Sequence, residues 1–460
     1  MPEANDLLPT SSLQEDGARL PRVIIVGGGF GGIQVARSLK KANADVLLID
    51  KRNHHVFQPL LYQVATAGLN PGDIAQAIRY ILRTQKNTYV VMGDVSAVNL
   101  GEQTITVKQS VLQYDYLVLA AGGVTSYFGN DGWEANAPGL KNLEDALQIR
   151  RSVFSAFEAA ELEEDAEARR AKLTFIVVGG GPTGVEMAGA LKEIAVDSIP
   201  NDFRRINTAS ARVILIEGSA KLLSGMSAKA SARAERDLTR MGIEVRLNTI
   251  VTDVDDDGVV MGNTRIDSAN VIWGAGVRAA PMQFTQDIKK DRGGRIIVDS
   301  DCSIPSHPHA FVIGDMAAQV CAKTTKPVPG VAQGALQMGK HVGSIIAAEI
   351  AKPTPSPRKA FTYRDKGSMA TIGSARAVVD IGKRSFGGLF AWLAWWAVHI
   401  SFLSGLRSKV FVMVGWIWSY FFRRKGARLI TESVNLEIKE VSPLPRLRAP
   451  TDTSQTASPD

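Results

Sequence analysis

The chain has 460 residues, 45% hydrophobic and 22% charged, which leaves room for two or three domains around a large core. Its two cysteines, Cys302 and Cys321, exclude a disulfide framework and a four-cysteine metal site, and read as reduced thiols. The net charge of +7 is not a nucleic-acid signal: eight Lys or Arg and no acid lie between Lys383 and Arg428, among five of the seven tryptophans, a neighbourhood that suits an anionic membrane surface.

Residues 1–20 lack a basic segment followed by an apolar run and read as a loose polar extension. Val23 to Val26 then form an apolar run typical of a parallel strand buried on both faces. Gly27, Gly29 and Gly32 follow in G-x-G-x-x-G spacing, with a helix over "IQVARSLKKA". The first glycine permits a tight turn, the second lets a pyrophosphate approach the backbone, and the third lets helix and strand pack. The helix start offers free N–H groups to phosphate. A second strand, "ADVLLID", ends in Asp50, placed to accept from a ribose.

"NHHVFQPLLYQVATAG" (Asn53 to Gly68) is next; His54 and His55 are adjacent, so they do not converge on one ion, and the stretch reads as a loop facing a cofactor. "YDYLVLAAGG" (Tyr114 to Gly123) is a buried strand ending in small residues. The acidic run Glu158 to Arg170 is expected to be one solvated helix.

The same grammar then repeats. "TFIVVGGGPTGVEMAGAL" carries Gly179, Gly181 and Gly184, and "ARVILIEG" delivers Glu217 at a strand end. An acid there favours a free 2′-hydroxyl and repels a 2′-phosphate, so NADH is expected over NADPH. "DVDDDG" (Asp253 to Gly258) opens like a calcium loop, but its twelfth position is Thr264, so it reads as a turn. "NVIWGAGV" (Asn270 to Val277) is a strand matching Tyr114 to Gly123, and "HAFVIGDMA" ends a strand at Gly314-Asp315.

In "GVAQGALQMGKHV" (Gly330 to Val342), Gln333 and Gln337 share a helix face. Their amides suit a ligand carbonyl, or the capping of nearby backbone. "FGGLFAWLAWWAVHISFL" and "VFVMVGWIWSYFF" are two apolar runs separated by Arg407 and Lys409, one borderline and one short for spanning a bilayer. Residues after Pro443 read as disordered.

Residues 21–350 resemble the paired-Rossmann flavoprotein reductases, and nearly the whole chain resembles bacterial type II NADH dehydrogenases, the single-subunit NADH:quinone oxidoreductases. The fold class that follows is α/β: two Rossmann-like dinucleotide-binding domains, for FAD and NADH, plus a C-terminal membrane-anchoring helical region. The expected divisions are 21–145 and 286–350 for FAD, 146–285 for NADH, 351–442 for the anchor and 443–460 for the tail. The resemblance implies non-covalent FAD on Gly27, Gly29, Phe30, Gly31, Gly32, Asp50, Lys51, Gln58, Ala121, Gly122, Asp315 and Gln333. It implies NADH on Gly179, Gly181, Pro182, Thr183, Gly184, Glu186, Glu217, Gly274, Ala275 and Gly276.

The resemblance assigns catalysis to Glu186, Gln333 and Gln337, with no metal site. Glu186 follows the second glycine turn; it is either a carboxylate settled at a helix N-terminus or a group beside the nicotinamide. The implied reaction passes hydride from NADH to FAD N5, then two electrons to a membrane quinone (menaquinone or ubiquinone), without proton pumping. The implied setting is a homodimer held peripherally on the cytoplasmic face of the cell inner membrane. Two alternatives stay open: a sulfide:quinone reductase using Cys302 and Cys321, and a membrane-docked NADH-binding sensor.

Overall fold

The computed structural model describes residues 19–352, 357–422 and 426–430. The expectations for residues 1–18 and 443–460 lie outside these residues. Arg22–Val26 runs parallel to Asp45–Asp50 on one side and to Tyr116–Leu119 on the other. Thr88–Met92 and His307–Val312 extend this sheet outward, also in parallel, and Ser303–Ile304 closes it as an antiparallel edge. Val23, Ile24 and Ile25 are fully buried, as strands covered on both faces must be.

Helix Phe30–Ser38 crosses between the first two strands, and helix Ala332–Ala351 lies directly on it. Their approach depends on small residues: a Cβ on Gly339 would stand 2.5 Å from the Gly31 carbonyl oxygen, and one on Gly343 would meet the Ser38 side chain at 2.5 Å. The two chain segments separated by the second nucleotide unit are thereby fused into one layer.

The second parallel sheet orders Glu244–Arg246, Arg212–Ile216, Thr174–Val178 and Asn270–Trp273. The last strand is shorter than the sequence suggests. The chain turns at Gly274 and resumes as Val277–Ala279, which pairs antiparallel with Gly123–Thr125 and ties the two units together. The acidic run is also not one helix. Leu143–Leu162 stops, and Asp165 caps a separate helix, Ala166–Lys172. The break is physical: Arg169 donates to the Glu163 carbonyl and Lys172 pairs with the Glu163 carboxylate, so these groups fold back on the interruption. Asp253–Asp255 and Gly258–Met261 form a hairpin, as the turn reading requires, with Arg265 across the Asp255 carboxylate.

A three-stranded antiparallel sheet, Ser368–Gly373, Arg376–Ile381 and Arg384–Gly387, leads into helices Leu389–Phe402 and Leu406–Phe422. Among the described residues, no helix is long and apolar enough to cross a membrane.

Candidate active site

The two glycine turns have matching local geometry. Gly27 and Gly179 sit at φ +108° and +107°, the left-handed region where a side chain is strained. A Cβ on Gly27 would lie 2.3 Å from the Ala120 carbonyl oxygen, and one on Gly179 2.6 Å from the Ala275 nitrogen. Each first glycine thus lets the end of the adjoining strand close onto the turn. Gly32 and Gly184 are equally constrained, since a Cβ there would stand 1.9 and 1.8 Å from the carbonyl oxygens of Gly27 and Gly179. Gly29 and Gly181 differ: nothing lies within 4 Å of a Cβ on either. Both cap helices without a side-chain hydrogen bond, leaving first-turn N–H groups for a phosphate. The residues present therefore fit two dinucleotides.

The acids at the strand ends also correspond. Asp50 accepts from Gly28 N at 2.6 Å and Arg52 N at 2.7 Å. Glu217 accepts from Gly180 N at 2.5 Å and Ser219 N at 2.7 Å. Each carboxylate is locked beside its turn and keeps lone pairs for a ribose hydroxyl.

Around the first turn, Phe30 meets the His55 ring edge-on at 4.9 Å, and His55 Nδ1 donates to the Gly28 carbonyl at 3.1 Å. Burial pushes His55 down to about 4, so its ring is neutral at pH 7. Ala121 N lies 3.2 Å from Met316 Sδ, which brings the Ala121-Gly122 segment against the turn carrying Asp315. A Cβ on Gly330 would stand 3.1 Å from an Asp315 carboxylate oxygen, so Gly330 leaves that side open. Gln58 is exposed and donates to the Lys141 carbonyl, while Lys51 is exposed. Lys141 was not singled out from the sequence. Burial depresses its ammonium, and the Asp315 and Asp145 charges partly offset this.

Around the second turn, Gly274 closes on Gly184 and the Val178 carbonyl, Gly276 adopts φ +76° against Phe128, and Pro182 and Thr183 form the first turn of the helix. Among the described residues, no group of three or more His, Cys, Asp or Glu could hold a metal. Cys302 and Cys321 are both buried and free.

Residues 21–339 match the pyridine nucleotide-disulphide oxidoreductase family, and residues 366–425 match the NDH2 C-terminal domain. The type II NADH:quinone oxidoreductase Ndh of Mycobacterium tuberculosis is 43% identical over 438 residues, 92% of this chain and 93% of that protein. The chain belongs to the type II NADH:quinone oxidoreductases. NdhA of the same organism is 43% identical over 90% of both chains. The NDH2 structure from Plasmodium falciparum in complex with NADH shares the fold, with a TM-score of 0.81 at 21% identity, covering 88% of this chain and 99% of that one. FAD and NADH are thus the cofactor and substrate of this NADH:quinone oxidoreductase, and the two glycine turns are the cradles that fit them.

In this NADH:quinone oxidoreductase the C-terminal sheet sits on the nucleotide helix. A Cβ on Gly189 would stand 2.4 Å from the Ile372 carbonyl oxygen, so strand Ser368–Gly373 lies against helix Pro182–Glu193. Glu186, on that helix, is 9% exposed and accepts from Thr371 N at 3.3 Å. Burial pushes its carboxyl up to about 8, although Thr371 hydrogen bonds pull the other way.

The two glutamines part company. Gln337 donates to the Arg364 carbonyl at 3.0 Å and accepts from Arg364 N at 2.9 Å, so its amide caps backbone. Gln333, half-buried one helical turn earlier, makes no side-chain hydrogen bond to the described residues.

The Trp-rich block divides between core and surface. Trp395 and Trp416 are 1% and 6% exposed and join the core, whereas Trp418 is 57% exposed. Two of the cations are engaged as well: Lys409 Nζ donates to the Ser401 carbonyl, and Arg428 pairs with Asp202. Arg423, Arg424 and Lys425 lie outside the described residues. What the helices present instead is an apolar face that includes Leu389, Phe390, Leu406, Phe411 and Val414.

Proposed function

We propose that this enzyme works peripherally at the cytoplasmic face of the inner membrane, as a homodimer, reducing a membrane quinone that approaches FAD near Gln333. The observation that carries the reading is the exposed apolar face of Leu389–Phe402 and Leu406–Phe422, attached through the C-terminal sheet to the helix of the second glycine turn. Many large apolar side chains left exposed on two successive helices favour a membrane or partner contact.

When bound, FAD supplies the two-electron chemistry that joins a hydride donor to a quinone. The chain's contribution is alignment: turns at Gly27–Gly32 and Gly179–Gly184 hold the two pyrophosphates, and the Gly123–Thr125 and Val277–Ala279 pair fixes one domain against the other. Asp50 and Glu217 orient the riboses, and Asp315 faces the flavin's sugar chain. Gln333 is assigned to the quinone side because its amide has no other described partner. Glu186 is assigned to the nicotinamide side, where a buried carboxyl raised to about 8 holds a proton near neutral pH.

The test is steady-state NADH oxidation by vesicle-bound enzyme with ubiquinone and menaquinone analogues. Quinone-dependent turnover is expected. NADH oxidation at one rate with and without quinone would instead favour a binding protein with slow flavin turnover.

A further inference from the structure

The order of strands gives the second cradle two distinct ends. Thr174–Val178 runs into the glycine turn between Arg212–Ile216, which leads to Glu217, and Asn270–Trp273, which leads to residues 274–276. A dinucleotide with its pyrophosphate at the Gly181 helix start and its adenosine ribose at Glu217 extends its nicotinamide half over residues 274–276. That end is also the one joined to the first unit, through Val277–Ala279 and Gly123–Thr125.

Phe128 stands at this end, in a backbone conformation that disfavours a side chain. Its φ is +54°, in the left-handed region, and Gly129 follows at φ +100°. Such a turn favours glycine at both positions, yet the first carries a bulky ring that is 70% exposed. Burial therefore does not offset the strain; the neighbours impose it. Tyr127 is buried against Trp273, the Ser126 carbonyl accepts from Trp273 Nε1 at 2.9 Å, and Ser126 N donates to the Gly276 carbonyl at 3.3 Å. The Phe128 ring is thereby held over Gly276, where a Cβ would stand 2.7 Å from its Cζ. Strain kept in place by its surroundings is typical of sites that act on a ligand.

We propose that Phe128 is a substrate-positioning residue of the NADH site: its ring packs on the nicotinamide half of the nucleotide and holds it toward the flavin unit. This rests on the reading of Glu217 as the residue that meets the adenosine ribose. The contact is one of packing, because a phenyl ring offers no hydrogen bond and the dihydronicotinamide ring and its ribose present an uncharged face. The exposed ring leaves water when the nucleotide covers it, so binding buries apolar surface that folding left outside. Gly276 makes room for this arrangement, since a side chain there would displace the ring. ADP, which carries only the adenosine and the pyrophosphate, does not reach this end.

The experiment is stopped-flow reduction of the flavin by NADH in full-length, FAD-loaded enzyme, with ADP as a competitor. Phe128→Ala is expected to raise the half-saturating NADH concentration about tenfold, the upper range for loss of an aromatic contact. The inhibition constant for ADP should stay unchanged. Phe128→Tyr, which keeps the ring, should bind NADH like the parent. Phe128→Gly suits the left-handed backbone and covers an alanine variant that does not fold; it should weaken NADH as strongly without lowering Tm. Half-saturation unchanged in both ring-deleted variants would overturn the proposal. So would NADH and ADP weakened alike together with a lower Tm, since the ring would then only support the turn. Glu217→Gln, measured alongside, separates the two readings. If its preference for NADH over NADPH narrows while the Phe128 variants are silent, the adenosine end stands and only the Phe128 contact fails. If its preference does not narrow, the orientation of the nucleotide fails, and the proposal with it.

Discussion

Gly189 and Ile372 are in van der Waals contact through backbone, since a Cβ on the glycine would stand 2.4 Å from the Ile372 carbonyl oxygen. The C-terminal sheet therefore rests on the helix that carries Glu186 with no space for a side chain between them. Gly189→Val is expected to force the two elements apart and to cost about 1–3 kcal/mol, the usual range for overpacking. Thermal unfolding of the flavin-loaded protein measures it. A variant as stable as the parent would mean the contact is looser than the geometry shows.

Glu217 accepts two backbone N–H groups at the strand end proposed to meet the ribose. Glu217→Gln removes a negative charge that repels a 2′-phosphate, so the preference for NADH over NADPH should narrow by about tenfold, roughly 1.4 kcal/mol. The amide has one acceptor oxygen where the carboxylate has two, so a backbone N–H loses its partner, at a cost of about 1 kcal/mol in stability. Ratios of kcat/KM for the two nucleotides, with Tm alongside, check both effects. An unchanged ratio would remove Glu217 from the ribose.

Gln333 and Gln337 are expected to separate binding from folding. Gln337→Ala breaks two hydrogen bonds to Arg364 and should lower stability by about 1–2 kcal/mol while quinone reduction persists. Gln333→Ala should leave flavin reduction by NADH intact and slow its reoxidation by quinone. Stopped-flow traces of the two half-reactions decide the matter. Slowed reduction with normal reoxidation would move Gln333 to the nicotinamide side.

The nucleotide cradles were legible in the sequence because a phosphate turn is a local device: glycine spacing, helix start and terminal acid all fall within about 30 residues. The surroundings of Glu186 were not. Tyr62 and Thr371 are 309 residues apart, and Gln63 and Trp416 are 353 apart, so no spacing rule joins them. Gln337 looked as fit for quinone as Gln333 until Arg364, 27 residues on, proved to hold its amide. The division of the tryptophan block between core and surface was hidden for a different reason. A helix apolar all round has no period that separates the face packed on the core from the face left outside.

Burial of His399 gives a pH dependence with a definite sign. Its ring stacks on Trp395 at 4.0 Å, Nδ1 donates to the Trp395 carbonyl at 2.7 Å, and burial lowers its pKa from 6.5 to about 4. The unfolded chain thus binds a proton that the folded chain refuses between those values. Stability is lost as pH falls through that window and regained as it rises. At pH 5 the loss is roughly 2 kcal/mol relative to pH 7. Glu186 works in the opposite sense, since its raised pKa makes the folded state lose stability as pH rises from about 4.5 toward about 8. The quantity to measure is therefore the difference between His399→Phe and the parent. The variant should lose less stability on acidification to pH 5, and parallel curves would contradict a neutral buried His399.

Membrane attachment cannot be tested cleanly by deleting the C-terminal helices, because Trp395, Val412 and Trp416 belong to the same buried cluster as the nucleotide helix, and Trp416 holds Gln63. The exposed face offers a better test. Phe390 and Phe411 are 79% and 56% exposed, so replacing both with Ser should shift folding stability little. Each ring that enters the apolar layer is worth roughly 1.5–3 kcal/mol. The double variant is therefore expected to lose about a hundredfold or more in vesicle partitioning, while its flavin content and NADH:ferricyanide activity persist. Salt should matter less than the composition implies, because Lys409 and Arg428 are engaged within the protein, leaving Lys383, Arg384 and Arg407 as the exposed cations of the block among the described residues. Co-sedimentation with zwitterionic and with anionic vesicles separates the two contributions. A double variant that binds both as tightly as the parent would show that this apolar face meets something other than lipid, with a second subunit as the alternative that analytical ultracentrifugation would reveal.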